Sequence, residues 1–105
     1  MAKVMFILQR RQDVTHEECL RYWNGPVHTG IVKKVPGLSR WVQNNVVGPP
    51  GDPPCDGVGE LCFDSDEAMT RALSSPEMGA AVEDAKKFLD MSRTGLIIVE
   101  EKVVV

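Results

Sequence analysis

The sequence predicts a single α+β domain spanning residues 1–105, with the element order βαββαβ. Three observations predict this class. The chain begins and ends with apolar runs of strand length, two segments with helical periodicity lie between them, and clusters of proline and glycine separate the elements. The length is that of one compact domain, and a hydrophobic content of 43% is typical of a globular protein.

The terminal strands are predicted from residues 3–9 (KVMFILQ) and 96–99 (LIIV), followed by a similar run at 103–105 (VVV). These runs are almost continuously apolar, whereas a strand with one solvated face alternates between apolar and polar residues. We therefore expect both terminal strands to be covered on both faces.

The first helix is predicted from a capping box at residues 15–18 (THEE), with Val14 and Cys19 placed for a hydrophobic staple. Residues 24–26 (Asn-Gly-Pro) interrupt the helical pattern. Because proline fits the first turn of a helix, we expect a kink there and a second segment that continues to residue 35.

The second half of the chain repeats the strand and helix signals. Residues 39–47 and 57–63 read as strands, separated by a loop at 48–56 whose four prolines cannot join a ladder. This loop is either a lid over a pocket or a plain connector. A second helix opens with acidic residues at 64–67 and restarts at 75–77, after which one apolar face comprises Met78, Val82, Ala85 and Leu89.

This order predicts a ferredoxin-like sandwich, in which both helical layers lie on one side of a four-stranded antiparallel sheet. The other sheet face must then meet solvent, a ligand or another sheet.

Composition excludes several classes of function. The net charge of −3 and the pI of about 5.3 argue against a nucleic-acid partner. No apolar run approaches the length of a membrane span, and no signal peptide is recognisable. Three widely spaced cysteines without a CxxC motif suggest reduced thiols in the cytoplasm and no metal site. Motifs for phosphate or dinucleotide cofactors are missing, so we expect no cofactor.

Five segments together resemble the EthD family of the dimeric α+β barrel superfamily. They are residues 4–11 (VMFILQRR), 15–28 (THEECLRYWNGPVH), 35–44 (VPGLSRWVQN), 56–65 (DGVGELCFDS) and 75–90 (SPEMGAAVEDAKKFLD). The resemblance implies that two copies pack their sheets into a barrel, as a homodimer. It also implies a pocket between each sheet and its own helices. Similar proteins include lactone isomerases and fungal enzymes that dehydrate or decarboxylate polyketides.

His28 is the first candidate for a catalytic residue. It lies on the edge of the second helical segment, and histidine exchanges protons near neutral pH without a cofactor. The resemblance implies that the histidine at this position faces the pocket as an acid/base group. The alternative is a histidine that caps backbone carbonyls or packs at the kink, while His16 is expected to be solvated and without a role.

Glu60 is the second catalytic candidate, as a carboxylate partner of His28. Alternation along the strand places Glu60 and Cys62 on one face, and burial of a carboxylate raises its pKa into a useful range. The alternative for Glu60 is a structural ion pair with a lysine or arginine. Cys62 is a candidate for lining the pocket.

Trp41, Gln43 and Asn45 share one face of the second strand and are candidates for binding a flat, partly polar substrate. Trp41 is alternatively core or dimer interface. A lactone-isomerising relative has a tyrosine where Trp41 stands, so the resemblance does not extend a phenol-based role to this position.

Three functions remain open on sequence alone. The first is a cofactor-independent enzyme that isomerises, dehydrates or decarboxylates a small hydrophobic, oxygenated metabolite such as a lactone or polyketide. The second is a non-catalytic protein that binds a metabolite or assists an oxidative degradation pathway. The third is a haem-binding or cofactor-free oxidoreductase.

Overall fold

The computed structural model describes residues 2–105 and confirms the predicted element order. A break divides each predicted helix into two. In chain order the elements are β1 (Ala2–Leu8), α1 (His16–Asn24), α2 (Pro26–Val32), β2 (Leu38–Asn45), β3 (Gly57–Phe63), α3 (Asp66–Leu73), α4 (Pro76–Ala85) and β4 (Gly95–Val99).

The strands form one antiparallel sheet in the order β2-β3-β1-β4. This is the predicted ferredoxin-like arrangement, which is therefore confirmed. The register sets the two faces: Val4 lies opposite Leu61 on the face that packs against the helices. The neighbouring row, with Met5 opposite both Glu60 and Ile97, points away from the helices.

The predicted helix signals act as expected. The Thr15 hydroxyl accepts a hydrogen bond from the Glu18 amide at 3.1 Å, and the Glu18 carboxylate accepts one from the Thr15 amide at 3.0 Å. Gly25 ends α1 and Pro26 begins α2, so the predicted kink is a full break between two helices. Ser75 caps α4 by accepting a hydrogen bond from the Met78 amide.

Several element ends differ from prediction, and α4 ends at Ala85, before Leu89 of the predicted apolar helix face. The second helical segment ends at Val32, because residues 33–35 tighten into a turn with bonds spanning three residues. The second strand ends at Asn45 rather than at residue 47. The tail at 103–105 is exposed and joins no strand.

The two glycines of β3 lie against the side chain of Trp23. A Cβ at Gly57 would lie 2.6 Å from Trp23 Cζ3, and one at Gly59 would lie 3.3 Å from Trp23 Cζ2. The buried indole therefore lies directly against the β3 backbone. A Cβ at Gly57 would clash with the ring, whereas one at Gly59 would require only a small shift of it. This close contact fixes α1 against the sheet and forms one end of the interior.

The sheet face that points away from the helices is uncovered. Ile97 is 48% exposed on this face. Met5, its partner on β1, and Val42, in the same row on β2, are only partly buried. The helices therefore cover one face of β1. They do not cover β4, where Leu96 and Ile98 share the face of Val4 but are 48% and 60% exposed.

Candidate active site

An apolar cavity lies between the sheet and the helices. Its volume is about 70 Å³. Strands β1, β2 and β3, helices α1, α2 and α4, and the segment before β4 all contribute to its wall. The lining comprises Phe6, Leu8, Trp23, His28, Val32, Trp41, Gly59, Leu61, Met78, Ala81, Val82, Ala85, Leu89, Met91 and Thr94. His28 is the one ionisable side chain among them.

His28 lies in α2 and is 5% exposed. Its Nδ1 is 2.9 Å from Asp84 Oδ2, and its ring meets the Phe88 ring edge-on at a centroid distance of 5.1 Å. Nε2 has no hydrogen-bond partner within the described part of the chain. Every fully buried side-chain nitrogen or oxygen in residues 2–105 has a partner, so Nε2 retains accessible surface. His28 thus lines an apolar cavity and has one imidazole nitrogen without a partner among residues 2–105.

Asp84 is the main functional candidate that the sequence analysis missed. Its carboxylate is buried and also accepts hydrogen bonds from the Tyr22 hydroxyl at 2.9 Å and from Lys87 Nζ at 3.1 Å. Burial by itself raises the pKa of Asp84, but the bonds from His28, Lys87 and Tyr22 outweigh it and hold the pKa below its usual value. The available signal was an acidic residue three positions after Ala81, on the apolar face of α4.

Glu60 lies on the other side of the sheet. Its carboxylate pairs with Lys3 Nζ at 2.9 Å and accepts a hydrogen bond from Asn44 Nδ2 at 2.8 Å. The bond from Lys3 holds the pKa of Glu60 below its ordinary value. The expectation that Glu60 and His28 share a cavity is wrong, because their strand and helix positions place the sheet between them. The ion pair named as the alternative is what the structure shows.

The other predicted binding residues divide between the two faces. Trp41 lines the cavity with His28. Gln43 donates from Nε2 to the Trp23 carbonyl at 2.9 Å, and Asn45 Oδ1 accepts from the Asn24 side chain at 2.7 Å, so both amides join β2 to α1. Gln43, Asn45 and Cys62 do not line the cavity, and Cys62 is buried on the Glu60 face.

His16 is not a free surface residue, contrary to expectation. Its Nδ1 is 2.6 Å from Asp56 Oδ1, and its Nε2 is 2.9 Å from the Val46 carbonyl oxygen. Asp56 is buried and also accepts from the Arg10 amide at 2.9 Å. Because both partners of the ring are acceptors, both nitrogens donate when the ring is an imidazolium. The hydrogen bond to Asp56 raises the pKa of His16.

The proline-rich loop 48–56 ends at this cluster and acts as a connector. Its residues line a shallow surface pocket beside His16 and Leu20, and none of them lines the His28 cavity. The lid hypothesis therefore has no support in the geometry.

Neither metal nor membrane features stand out. Within residues 2–105, His, Cys, Asp and Glu side chains form no cluster of three that could hold a metal ion. Along the same residues, no helix has the length and apolar character needed to cross a bilayer.

Several solved structures are similar to this chain. An EthD family protein from Bacillus halodurans C-125 has a TM-score of 0.80 at 25% identity, covering 97% of this chain and 99% of that one. A dimeric protein of unknown function with a ferredoxin-like fold from Bacteroides fragilis has a TM-score of 0.70 at 16% identity, covering 95% of each chain. A mutant form of a cofactor-independent oxygenase from Streptomyces nogalater has a TM-score of 0.61 at 13% identity, covering 98% of this chain and 96% of that one.

The last two likenesses, at such low identity, establish the fold alone. A search of curated proteins finds no match. The family model described as the EthD domain matches residues 11–92, which include α1, α2, α4 and the whole His28–Asp84 pair. The chain therefore belongs to the EthD family.

Proposed function

We propose that this protein is a cofactor-independent enzyme that moves a proton on a small hydrophobic metabolite containing oxygen. The observation that carries the proposal is that His28 lines an apolar cavity and that its Nε2 has no hydrogen-bond partner among the described residues. An apolar wall keeps water away from one side of a general base and so favours proton transfer with a bound substrate.

The composition of the cavity wall favours isomerisation over the other reactions considered. A dehydration commonly uses one group as a base and another as an acid, whereas a proton shift can use one group for both steps. Within residues 2–105, His28 is the one ionisable lining residue. The nitrogen that removes a proton from carbon therefore also returns it at a second carbon. Thr94 also lines the cavity, but its hydroxyl oxygen already accepts a hydrogen bond from the Gln9 amide at 3.1 Å.

The cavity also restricts the size of the substrate. Its volume of about 70 Å³ is roughly half of the ~150 Å³ that accepts benzene in an engineered cavity. A ligand with more than a few heavy atoms requires the flexible side chains of Met78 and Met91 to move. We therefore expect a compact substrate with one oxygen function directed at His28 and apolar carbon elsewhere.

We further propose that a second copy of the chain covers the open sheet face. The half-exposed Ile97 and its apolar neighbours on this face support the pairing. The dimeric description of the Bacteroides fragilis structure adds to it. In that arrangement Glu60 and Lys3 are interface residues and not parts of the active site.

The test begins with native mass spectrometry of the protein after exposure to cell extract, which identifies any small molecule that binds. Turnover of that molecule is then measured for the wild type, His28→Gln and Glu60→Gln. We expect His28→Gln to abolish turnover with the fold intact and Glu60→Gln to retain it, since the sheet separates Glu60 from the cavity. Undiminished turnover in His28→Gln overturns the assignment of the base.

The single ionisable lining residue also permits a second function, that of a non-catalytic metabolite-binding protein. The same experiment separates the two, because a merely bound molecule is recovered unchanged from the wild-type protein. Consumption of dissolved oxygen during turnover would instead identify a cofactor-free oxidoreductase.

A further inference from the structure

We propose that Asp84 is a positioning residue that fixes which nitrogen of His28 carries the proton. The inference rests on the proposed function of His28 as a base. Asp84 holds the proton on Nδ1, which leaves Nε2 unprotonated towards the cavity. Tyr22 and Lys87 bind one oxygen of the Asp84 carboxylate, which leaves the other oxygen for His28.

The two carboxylate oxygens of Asp84 have separate partners. Oδ1 accepts from the Tyr22 hydroxyl at 2.9 Å and lies 3.1 Å from Lys87 Nζ, while Oδ2 faces His28 Nδ1 at 2.9 Å. Tyr22 comes from α1 and His28 from α2, whereas Asp84 lies in α4. The carboxylate therefore sits where three helices meet, and its orientation is held by donors on one side.

This geometry determines the tautomer of the neutral ring. An ionised carboxylate accepts hydrogen bonds and cannot donate them, so the nitrogen facing Asp84 must be the one that carries hydrogen. A neutral imidazole has one N–H, and Nε2 is left with its lone pair. The His28 and Phe88 rings pack nearly perpendicular to each other with a centroid distance of 5.1 Å, and this packing opposes a flip that would exchange the two nitrogens.

The carboxylate also matters after proton transfer. When Nε2 takes a proton the ring becomes an imidazolium, and the adjacent negative charge of Asp84 stabilises it in the apolar interior. Among the described residues that line the cavity, no other ionisable group serves this purpose. A purely structural role, joining three helices, makes no such demand on the charge of Asp84.

The substitution Asp84→Asn gives an unusual prediction because Lys87 can only donate. The amide oxygen of the new side chain must face Lys87 and Tyr22, which places its NH₂ group towards His28. An NH₂ group donates, so Nδ1 must become the acceptor and the ring proton moves to Nε2. The variant thus keeps the shape of the site and reverses the tautomer.

The readout is the ¹⁵N chemical shift of the histidine rings, recorded at a pH at which the spectra themselves show neutral rings. In the wild type we expect a protonated, pyrrole-type Nδ1 and an unprotonated, pyridine-type Nε2 for His28. Asp84→Asn should exchange these two assignments, and Tyr22→Phe, which keeps the carboxylate, should not. The chain has two histidines, so His16 serves as an internal reference, assigned with His16→Gln.

A pyridine-type Nδ1 in the wild type overturns the proposal by itself, even if Asp84→Asn fails to fold. An unchanged His28 spectrum in a folded Asp84→Asn variant also overturns it. If the tautomer is as expected but His28→Gln retains turnover, the proposed function fails while the positioning by Asp84 stands. If both hold, Asp84→Asn should lose turnover as completely as His28→Gln, although its histidine is intact.

Discussion

Deprotonation of His16 should weaken the attachment of α1 to the β2–β3 connection. As an imidazolium, the ring donates to both the Asp56 carboxylate and the Val46 carbonyl. The neutral ring has one N–H and must give up one of these bonds. The hydrogen bond to Asp56 raises the pKa of His16 above its ordinary value of 6.5. The stabilisation is therefore complete below pH 6.5 and is lost as pH rises through the higher folded-state pKa.

The free energy lost on deprotonation depends on how far the His16 and Asp56 side chains are exposed to solvent. A hydrogen bond to a charged group contributes about 1.5–3 kcal/mol when it is buried. The His16 side chain is 29% exposed, so solvent screening reduces the loss on deprotonation to about 1 kcal/mol. In a domain of this size, that loss lowers the Tm by about 4–8 °C. His16→Ala removes both bonds and should cost about 2 kcal/mol at low pH.

The assay is thermal unfolding of the wild type and His16→Ala at about pH 6 and about pH 9, at one fixed protein concentration because dimers unfold in a concentration-dependent manner. We expect the gap in Tm between the two proteins to narrow at the higher pH. The comparison with His16→Ala removes contributions from other titrating groups. A gap that stays constant or widens refutes the doubly donating imidazolium.

Two other substitutions test the packing and the pairing. Gly57→Ala should lower the free energy of unfolding by about 1–3 kcal/mol in urea, because its Cβ would lie 2.6 Å from the Trp23 ring. Gly79→Ala, on an exposed helix position with open space around it, should instead stabilise by about 0.5–1 kcal/mol; equal effects contradict the close contact. Ile97→Asp should convert a dimer to a monomer in light scattering. Val47→Asp, at a 96% exposed site off the sheet, should not.

The sequence alone determined the features that depend on neighbouring residues. The capping box at Thr15 and Glu18 and the break at Pro26 each involve residues at most four apart, and their effect on backbone geometry is local. Alternation along β3 likewise established that Glu60 and Cys62 share a face. It did not establish which face the helices cover. Alternation separates the residues of a strand into two faces, but it does not show which face is packed against the helices.

Only the tertiary structure decided the composition of the candidate site. Asp84 is 56 residues from His28, and Asp56 is 40 residues from His16. No local sequence pattern could therefore predict either pair. Each pair forms because packing removes a carboxylate from water, and a buried carboxylate must then find hydrogen-bond donors. The sequence identified His28 as a candidate acid/base residue. Only the tertiary structure showed that Asp84 is its carboxylate partner and that Glu60 lies on the opposite side of the sheet.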